Sequence, residues 1–299
     1  MNLIPKVLNS SFTSERVIVR KIFLHPDCDL KTNIMRVFRL PLAQEHDGME
    51  LLCQKDLNRI KLRFGGDRMQ DSYILSIESQ RITVYYAYYN GLINAISTLE
   101  QLLFDLILGK EYALLSTGVI YDSPKYSYRG LLIDVSRHFR TMEELKKTIR
   151  LMSFYKLNFL HLHLTDDQGW RIEVKKYPKL TNGGNIRKAT QLNRKGKTDS
   201  KEYGKGLFYT QDELKSLVNY AKDFGIEIVP EIDVPGHLLG AISRYSELSC
   251  SKKPVDVRVE WGVEKIIACA SNPKAVEFIK AVIDEVAEIF PGQYFHIGG

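Results

Sequence analysis

Four apolar runs of strand length alternate with three helical patterns in the second part of the chain. The runs occupy residues 128–136, 157–165, 226–234 and 293–299. This alternation predicts a parallel sheet, because parallel neighbours need a crossover connection that is usually a helix. The first run, YRGLLIDVS, is continuously apolar and predicts a strand buried on both faces. Four such strands amount to half of a (β/α)8 TIM barrel, whose active sites lie at the carboxyl ends of the strands.

Local signals mark where the intervening helices begin. Thr141 with Glu144, and Thr210 with Glu213, form two capping boxes, in which each side chain accepts from the backbone of the other. Asn272 precedes a proline at the first turn of the third helical pattern. We therefore expect three helices, starting just after residues 141, 210 and 272.

The first part of the chain has a different pattern and predicts a small α/β domain. We expect strands over residues 16–24 and 33–40, a hairpin within 72–89, and a helix over about 90–108. No cluster of chemically useful side chains stands out there, so an accessory role is expected. The predicted domains are residues 1–122 and 123–299.

Composition excludes several classes of protein. A net charge of +6 is spread over the chain without a dense basic stripe, which argues against a nucleic-acid partner. No apolar run approaches membrane-spanning length, and the N-terminus lacks the apolar core of a signal peptide. We therefore expect no membrane partner and a cytoplasmic location.

The four cysteines, Cys28, Cys53, Cys250 and Cys269, are far apart and form no CxxC pair. This spacing indicates neither a zinc site nor a redox motif. We expect reduced, partly buried thiols, and neither a metal nor a cofactor.

Polar residues follow the predicted strands. Arg137 follows the first strand, where its guanidinium could bind paired hydroxyls or join loops through salt bridges. Asp166 and Trp170 follow the second strand, and an acid beside an aromatic ring is a common way to hold a sugar. Glu231 and His237 belong to the third strand and its exit. These residues together predict a ligand site at the carboxyl edge of the sheet.

The histidines allow a rival interpretation. His161 and His163 share one face of the second strand and could bind a metal together with His237. Against this, the pair is interleaved with Leu162 and Leu164, as core histidines would be. The sequence leaves both interpretations open for His163.

Five motifs in order, YRGLLIDVSRHF, YKLNFLHLHLTDDQGWRIEVKKYPKLT, PEIDVPGH, WGVEK and YFHIGG, resemble glycoside hydrolase family 20, the β-N-acetylhexosaminidases. The resemblance covers nearly the whole chain and implies a bacterial-type enzyme that acts on N-acetylhexosamine-containing glycans. It also implies a non-catalytic N-terminal α/β domain before the half barrel.

The resemblance implies roles for matched positions. Arg137 corresponds to the residue that binds the hydroxyls of the terminal sugar, Asp166 to an acid that supports the site, and His237 to a histidine near the catalytic acid. Trp170 and Glu231 belong to the same motifs and are expected to be structural first. His163 and His296 complete the set of possible site residues.

In the family, the His-x-Gly-Gly motif of the fourth strand continues into an Asp-Glu pair. The mechanism implied is substrate-assisted and retaining: the 2-acetamido oxygen attacks the anomeric carbon, the Asp orients that group, and the Glu protonates the leaving oxygen. That pair would follow Gly299, so we expect a fragment that is inactive alone. The alternatives are a non-catalytic sugar-binding remnant and, less favoured, a metal-dependent hydrolase.

Overall fold

The computed structural model describes residues 3–28, 38, 40–43 and 48–299, and these residues form two compact units. The first contains the described residues up to 129, with the segments 149–158 and 223–226. The second contains residues 130–148, 159–222 and 227–299. The boundary predicted after residue 122 stays a prediction.

A mixed six-stranded sheet with the order β1-β6-β4-β5-β3-β2 forms the first unit. The strands are β1 (Asn9–Val19), β2 (Ile22–Leu24), β3 (Met49–Lys55), β4 (Tyr73–Ile77), β5 (Arg81–Tyr86) and β6 (Ala113–Asp122). β1 pairs antiparallel with β6, and β4 pairs antiparallel with both β6 and β5. β3 pairs parallel with both β5 and β2.

Most elements predicted for this unit are present. The helices are α1 (Leu57–Phe64), α2 (Tyr89–Leu102) and α3 (Phe104–Ile107). β4 and β5 form the predicted hairpin, closed by a bond from the Glu78 N–H to the Arg81 oxygen (2.8 Å). The single strand predicted over 16–24 is wrong, because β1 ends at Val19 and β2 is a separate strand. Most of the strand predicted over 33–40 lies outside the described residues.

A buried charge pair lies in the first unit. Nζ of Lys156 is 2.7 Å from Oδ2 of Asp122 and donates to the Tyr73 hydroxyl at 2.9 Å. Burial lowers the pKa of Lys156 and raises that of Tyr73, since both charged forms lose water there. The negative charge of Asp122 stabilises the buried ammonium group of Lys156.

The second unit contains a parallel sheet, as predicted, and its strand order is β10-β8-β7. Its strands are β7 (Gly130–Asp134), β8 (Phe159–Asp166), β9 (Gly169–Trp170) and β10 (Glu227–Ile232), with β9 antiparallel to β8. The prediction that β7 is buried on both faces is wrong, since Leu131 and Leu132 are 40% and 54% exposed. β7 lies at the edge of this sheet with β8 as its partner, so its side chains are not covered.

The predicted fourth strand is reduced to a single parallel bridge between His296 and Glu231. The His296 N–H donates to Pro230 (2.9 Å), and the N–H groups of Ile232 and Val234 donate to His296 and Ile297 (both 3.1 Å). The segment therefore runs beside β10 in the predicted direction, but its pairing is too short to make a strand.

The three predicted helix starts of the second part are confirmed. The helices are α4 (Met142–Phe154), α5 (Gln211–Asp223), α6 (Leu239–Ile242) and α7 (Pro273–Ala287). The N–H groups of Thr141 and Thr210 donate to the carboxylates three residues later, at 2.7 and 2.8 Å. The Asn272 side chain accepts from the Lys274 N–H at 3.1 Å.

The prediction of reduced thiols is wrong. Cys28 is bonded to Cys53 in the first unit, and Cys250 to Cys269 in the second. The partners are 25 and 19 residues apart, and spacings of that length carry no local signal of pairing. Within the described ranges, no helix is both long and apolar enough to span a bilayer.

Candidate active site

Asp166, at the carboxyl end of β8, is the centre of a cluster of charged side chains. Its carboxylate is 1% exposed and lies near three cations or potential cations: Arg137, His163 and His237. Burial would raise the pKa of Asp166, but the hydrogen bond from His163 and the charge of Arg137 outweigh it and lower the pKa. Asp166 is therefore a buried, charged carboxylate.

Arg137 is held on three sides after β7. One terminal nitrogen is 2.8 Å from Oδ2 of Asp134, the other is 2.5 Å from Oδ2 of Asp166, and Nε donates to Oε1 of Gln168 at 2.9 Å. The side chain is still 35% exposed. The salt-bridge interpretation from the sequence is therefore right, and about a third of the side chain remains exposed.

His163 lies between two carboxylates on β8 and β10. Nε2 is 2.6 Å from Oδ2 of Asp166, and Nδ1 is 3.0 Å from Oε2 of Glu231. Burial opposes the positive charge, but the bonds to both carboxylates outweigh it and raise the pKa of His163 to about 9. A protonated imidazole in this position can donate to both carboxylates, as a structural histidine would.

Three histidines lie close to the Glu231 carboxylate. Besides His163, it has His161 Nε2 at 2.7 Å from Oε2 and His296 Nδ1 at 3.3 Å from Oε1. The angle at His161 is poor, and Nε2 makes no geometrically sound hydrogen bond among the described residues. Burial opposes ionisation of Glu231, but the close approach of His161 and His163 outweighs it and lowers the pKa of Glu231. This arrangement supports the structural role expected for Glu231.

His237 reaches the cluster from the loop after β10. Its Nδ1 lies 3.1 Å from Oδ1 of Asp166 and 3.7 Å from Oδ2 of Asp167. Its backbone has φ of +52°, a conformation that non-glycine residues rarely adopt and that often occurs at functional sites. The sequence prediction that His237 points toward the site is consistent with this position.

Trp170 does not lie at a ligand surface. It is 1% exposed, its indole N–H donates to the Ile172 oxygen at 2.7 Å, and its ring meets Phe278 edge-on. Both ring faces are therefore covered, and Trp170 cannot stack on a sugar. Its role is the structural one that the sequence analysis placed first.

The three histidines of the less favoured metal interpretation, His161, His163 and His237, do not form one metal-like group. Within the described part of the chain, three groups have metal-like spacing: His161–Glu231–His296, His163–Asp166–Asp233 and Asp166–Asp167–His237. No group contains two of the three predicted histidines. Each group also belongs to the ion-pair network above, so the donor atoms already have charged neighbours.

Sequence analysis did not single out Gln168, and it assigned no site role to Asp134 or Asp233 at the strand ends. Gln168 follows Asp166 and Asp167 in the same motif, and Asp134 lies three residues before Arg137, so motif position was an available signal. The Lys- and Gly-rich composition of segment 195–206 is typical of a flexible, solvated insertion. Its end is ordered, because Tyr203 exchanges two backbone hydrogen bonds with Arg187, both 2.9 Å.

The fold and site define an α/β protein with its polar cluster at the carboxyl ends of parallel strands, where such folds bind ligands. Within that class the chain belongs to glycosyl hydrolase family 20, since the model of the family's catalytic domain matches residues 126–299.

Relatives agree with this assignment. A β-hexosaminidase of Porphyromonas gingivalis is 39% identical over 77% of this chain and 29% of its own length. A β-hexosaminidase of Akkermansia muciniphila is 38% identical over 77% of this chain and 45% of its own length. The chain thus spans less than half the length of these two curated relatives.

Solved structures show the same similarity. The exo-β-N-acetylglucosaminidase of Vibrio harveyi in complex with N-acetylglucosamine has a TM-score of 0.80 at 29% identity, over 99% of this chain and 46% of its own. The β-N-acetylhexosaminidase of Streptomyces coelicolor has a TM-score of 0.79 at 26% identity, over 99% of this chain and 59% of its own.

Proposed function

We propose that this chain carries the sugar-binding part of a β-N-acetylhexosaminidase that removes terminal N-acetylhexosamine from glycans or chito-oligosaccharides. The observation that carries the proposal is the Arg137 guanidinium, which Asp134 and Asp166 hold rigidly while about a third of the side chain stays open. A fixed planar fork of donors suits paired sugar hydroxyls. The names of the relatives support the same substrate class.

In this proposal the residues of the chain bind and orient the sugar. Arg137 donates to hydroxyls, and Asp166 holds Arg137 and His237 in place through its two oxygens. With Nδ1 of His237 at Asp166, Nε2 is the atom that could contact a catalytic acid. The acid itself would come from the Asp-Glu pair that the family pattern places after the His-Ile-Gly-Gly motif.

Binding and turnover separate this proposal from its alternative. The 299-residue chain is titrated with N-acetylglucosamine and N-acetylgalactosamine, and hydrolysis of a 4-nitrophenyl N-acetyl-β-glucosaminide is assayed in parallel. We expect millimolar binding with little turnover by this chain, and turnover by any longer product of the same gene. Binding without turnover by every product of the gene would favour the non-catalytic remnant.

Two arginine variants test the site. Arg137→Met should weaken binding about tenfold, because hydrogen bonds from a charged donor are lost. Arg140→Met is the matched control, since Arg140 is 53% exposed and contacts Glu144 at 3.7 Å. Equal effects of the two variants, or no binding of either sugar by the wild type, would contradict the proposal.

We further propose that residues 123–299 are the first half of a (β/α)8 barrel and that residues 1–122 are a non-catalytic accessory domain. The exposed Leu131 and Leu132 on edge strand β7 support a neighbouring strand in a longer protein. The chain alone should therefore self-associate or bind a hydrophobic dye. A stable monomer with one sharp thermal transition in calorimetry would oppose this.

The disulfides favour a different compartment from the cytoplasmic location expected from the sequence. Disulfides persist mainly in oxidising compartments, and the described cysteines are all paired. We therefore favour folding in an oxidising compartment. Alkylation of free thiols in intact cells, with mass analysis before and after reduction, distinguishes the two: four labelled thiols without reductant would restore the cytoplasmic prediction.

A further inference from the structure

A loop closed by a disulfide lies against the candidate site. We call residues 250–269, closed by the Cys250–Cys269 bond, the disulfide-closed loop. The Arg258 N–H in this loop donates to the Asp167 oxygen, and the Ala268 N–H donates to the Pro235 oxygen, both at 2.9 Å. The loop therefore contacts the segment after β8 and the segment after β10.

One side chain links this loop to Arg137. The Gln168 amide accepts from Nε of Arg137 at 2.9 Å and donates from Nε2 to the Glu260 oxygen at 3.0 Å. An arginine nitrogen can only donate and a carbonyl can only accept, so the two partners fix which way the amide points. Gln168 is 5% exposed, which shields both bonds from water.

The bond to Gln168 restrains a different part of Arg137 from the bonds to the carboxylates. Asp134 and Asp166 hold the terminal nitrogens, which are also the atoms that a ligand would share. Gln168 holds Nε, at the base of the guanidinium, and so limits rotation of its plane. A binding group needs such support, because small errors in orientation weaken directional hydrogen bonds.

We propose that Gln168 is a positioning residue that fixes the plane of the Arg137 guanidinium and couples it to the disulfide-closed loop. This inference rests on the proposed sugar-binding function of Arg137. It extends that function, because the affinity for the sugar would then depend on the Cys250–Cys269 disulfide, which lies outside the ion-pair cluster.

The Nε–H resonance of Arg137 tests the coupling without any sugar. In a proton–nitrogen NMR spectrum of the whole chain, the signal is assigned by its loss in Arg137→Lys. We expect a slowly exchanging Nε–H in the wild type and at least tenfold faster exchange in Gln168→Leu. Unchanged exchange in Gln168→Leu would overturn the proposal.

Gln168→Glu separates the two contacts of the amide. A carboxylate still accepts from Arg137 but cannot donate to the Glu260 oxygen. Exchange of the Arg137 Nε–H should therefore stay slow in Gln168→Glu, while exchange of loop amides rises. If the Arg137 Nε–H exchanges as fast in Gln168→Glu as in Gln168→Leu, an acceptor at this position does not restrain the guanidinium, and the positioning role is wrong.

Removing the disulfide in the presence and absence of Gln168 gives a double-mutant cycle. Replacing Cys250 and Cys269 together by serine should weaken N-acetylglucosamine binding about fivefold in the wild-type background. It should have little effect on Gln168→Leu, because the link is already broken. Replacing Cys28 and Cys53 by serine is the matched control and should leave affinity unchanged.

The outcomes distinguish the two proposals. If the wild type binds no N-acetylhexosamine but the Nε–H signal responds to Gln168→Leu, the sugar-binding function fails and the positioning role stands. If sugar binds and additive losses are found for Gln168→Leu and the opened disulfide, the coupling is refuted while the proposed function stands.

Discussion

Nδ1 of His237 lies 3.1 Å from Oδ1 of Asp166, although 71 residues separate them in sequence. The other oxygen of Asp166 is shared by Arg137 and His163. One buried carboxylate thus balances charged or chargeable groups from three strand ends. The order of the site depends on the charge of this one side chain.

Neutralising that carboxylate should destabilise the fold. Asp166→Asn leaves Arg137 and His163 without their shared counter-ion while Asp134 and Glu231 remain beside them, so the lost charge-assisted hydrogen bonds should cost about 1.5–3 kcal/mol. Asp167→Asn is the matched control. Burial raises the pKa of Asp167, and its bond from the Leu239 N–H (3.1 Å) can be kept by an amide oxygen. Urea unfolding should show a loss of at most about 1 kcal/mol for this control; equal losses would contradict the assignment.

Stability should fall as the pH rises through the pKa of His163. This pKa is raised from 6.5 to about 9 in the folded state, so the folded state binds the proton more tightly. The contribution is fully present below about pH 6.5 and is lost as pH rises through about 9, with a total of about 3 kcal/mol. Urea unfolding from pH 6 to 10 measures the slope. His163→Gln should flatten it, and an unchanged slope in that variant would assign the effect to another group.

The buried Lys156–Asp122 pair in the first unit should tolerate replacement of both residues better than replacement of one. Lys156→Met leaves Asp122 buried without its cation and should cost about 3–5 kcal/mol, whereas Lys156→Met with Asp122→Leu should recover most of the loss. The exposed pair Lys188–Asp256, also 2.7 Å long, is the control, and its cycle should give at most about 1 kcal/mol. Thermal unfolding provides both values. A double variant no more stable than the single one would contradict burial as the cause.

Two glycines in one loop should differ in their tolerance of alanine. Gly204 and Gly206 have φ of +107° and +68°, so alanine is strained at both. A Cβ at Gly204 would also overlap the Asn185 carbonyl, whereas a Cβ at Gly206 would have open space around it among the described residues, apart from its two chain neighbours. Gly204→Ala should therefore lower the melting temperature several degrees more than Gly206→Ala. Similar melting temperatures would mean that the loop rearranges freely.

Local signals predicted much of the secondary structure. The capping boxes at Thr141 and Thr210 join atoms three residues apart, so the sequence contains both partners. Parallel pairing of β7, β8 and β10 followed from their alternation with helices. Exposure of Leu132 did not follow, because burial depends on which elements cover a strand and not on its own composition.

Interactions between distant residues could not be predicted from the same signals. Glu231 meets His161 and His163 from a different strand, and no spacing rule relates them. The two disulfides could not be predicted for the same reason, since a cysteine's partner depends on the folded path of the chain. The resemblance to the family supplied Arg137, Asp166 and His237 as a set, but it gave no indication that Gln168 would join Arg137 to a loop.

The pairing of residues 296 and 297 with β10 uses main-chain atoms on both sides. Hydrogen bonds of this kind form equally well with many side chains, so the chemical identity of Ile297, which is more than half exposed, matters little for the path of the chain. Gly298 differs, because a Cβ there would enter the Asp233 carboxylate and its φ is +87°. A map of mutational tolerance should therefore show Ile297 as permissive and the glycine directly after it as restricted.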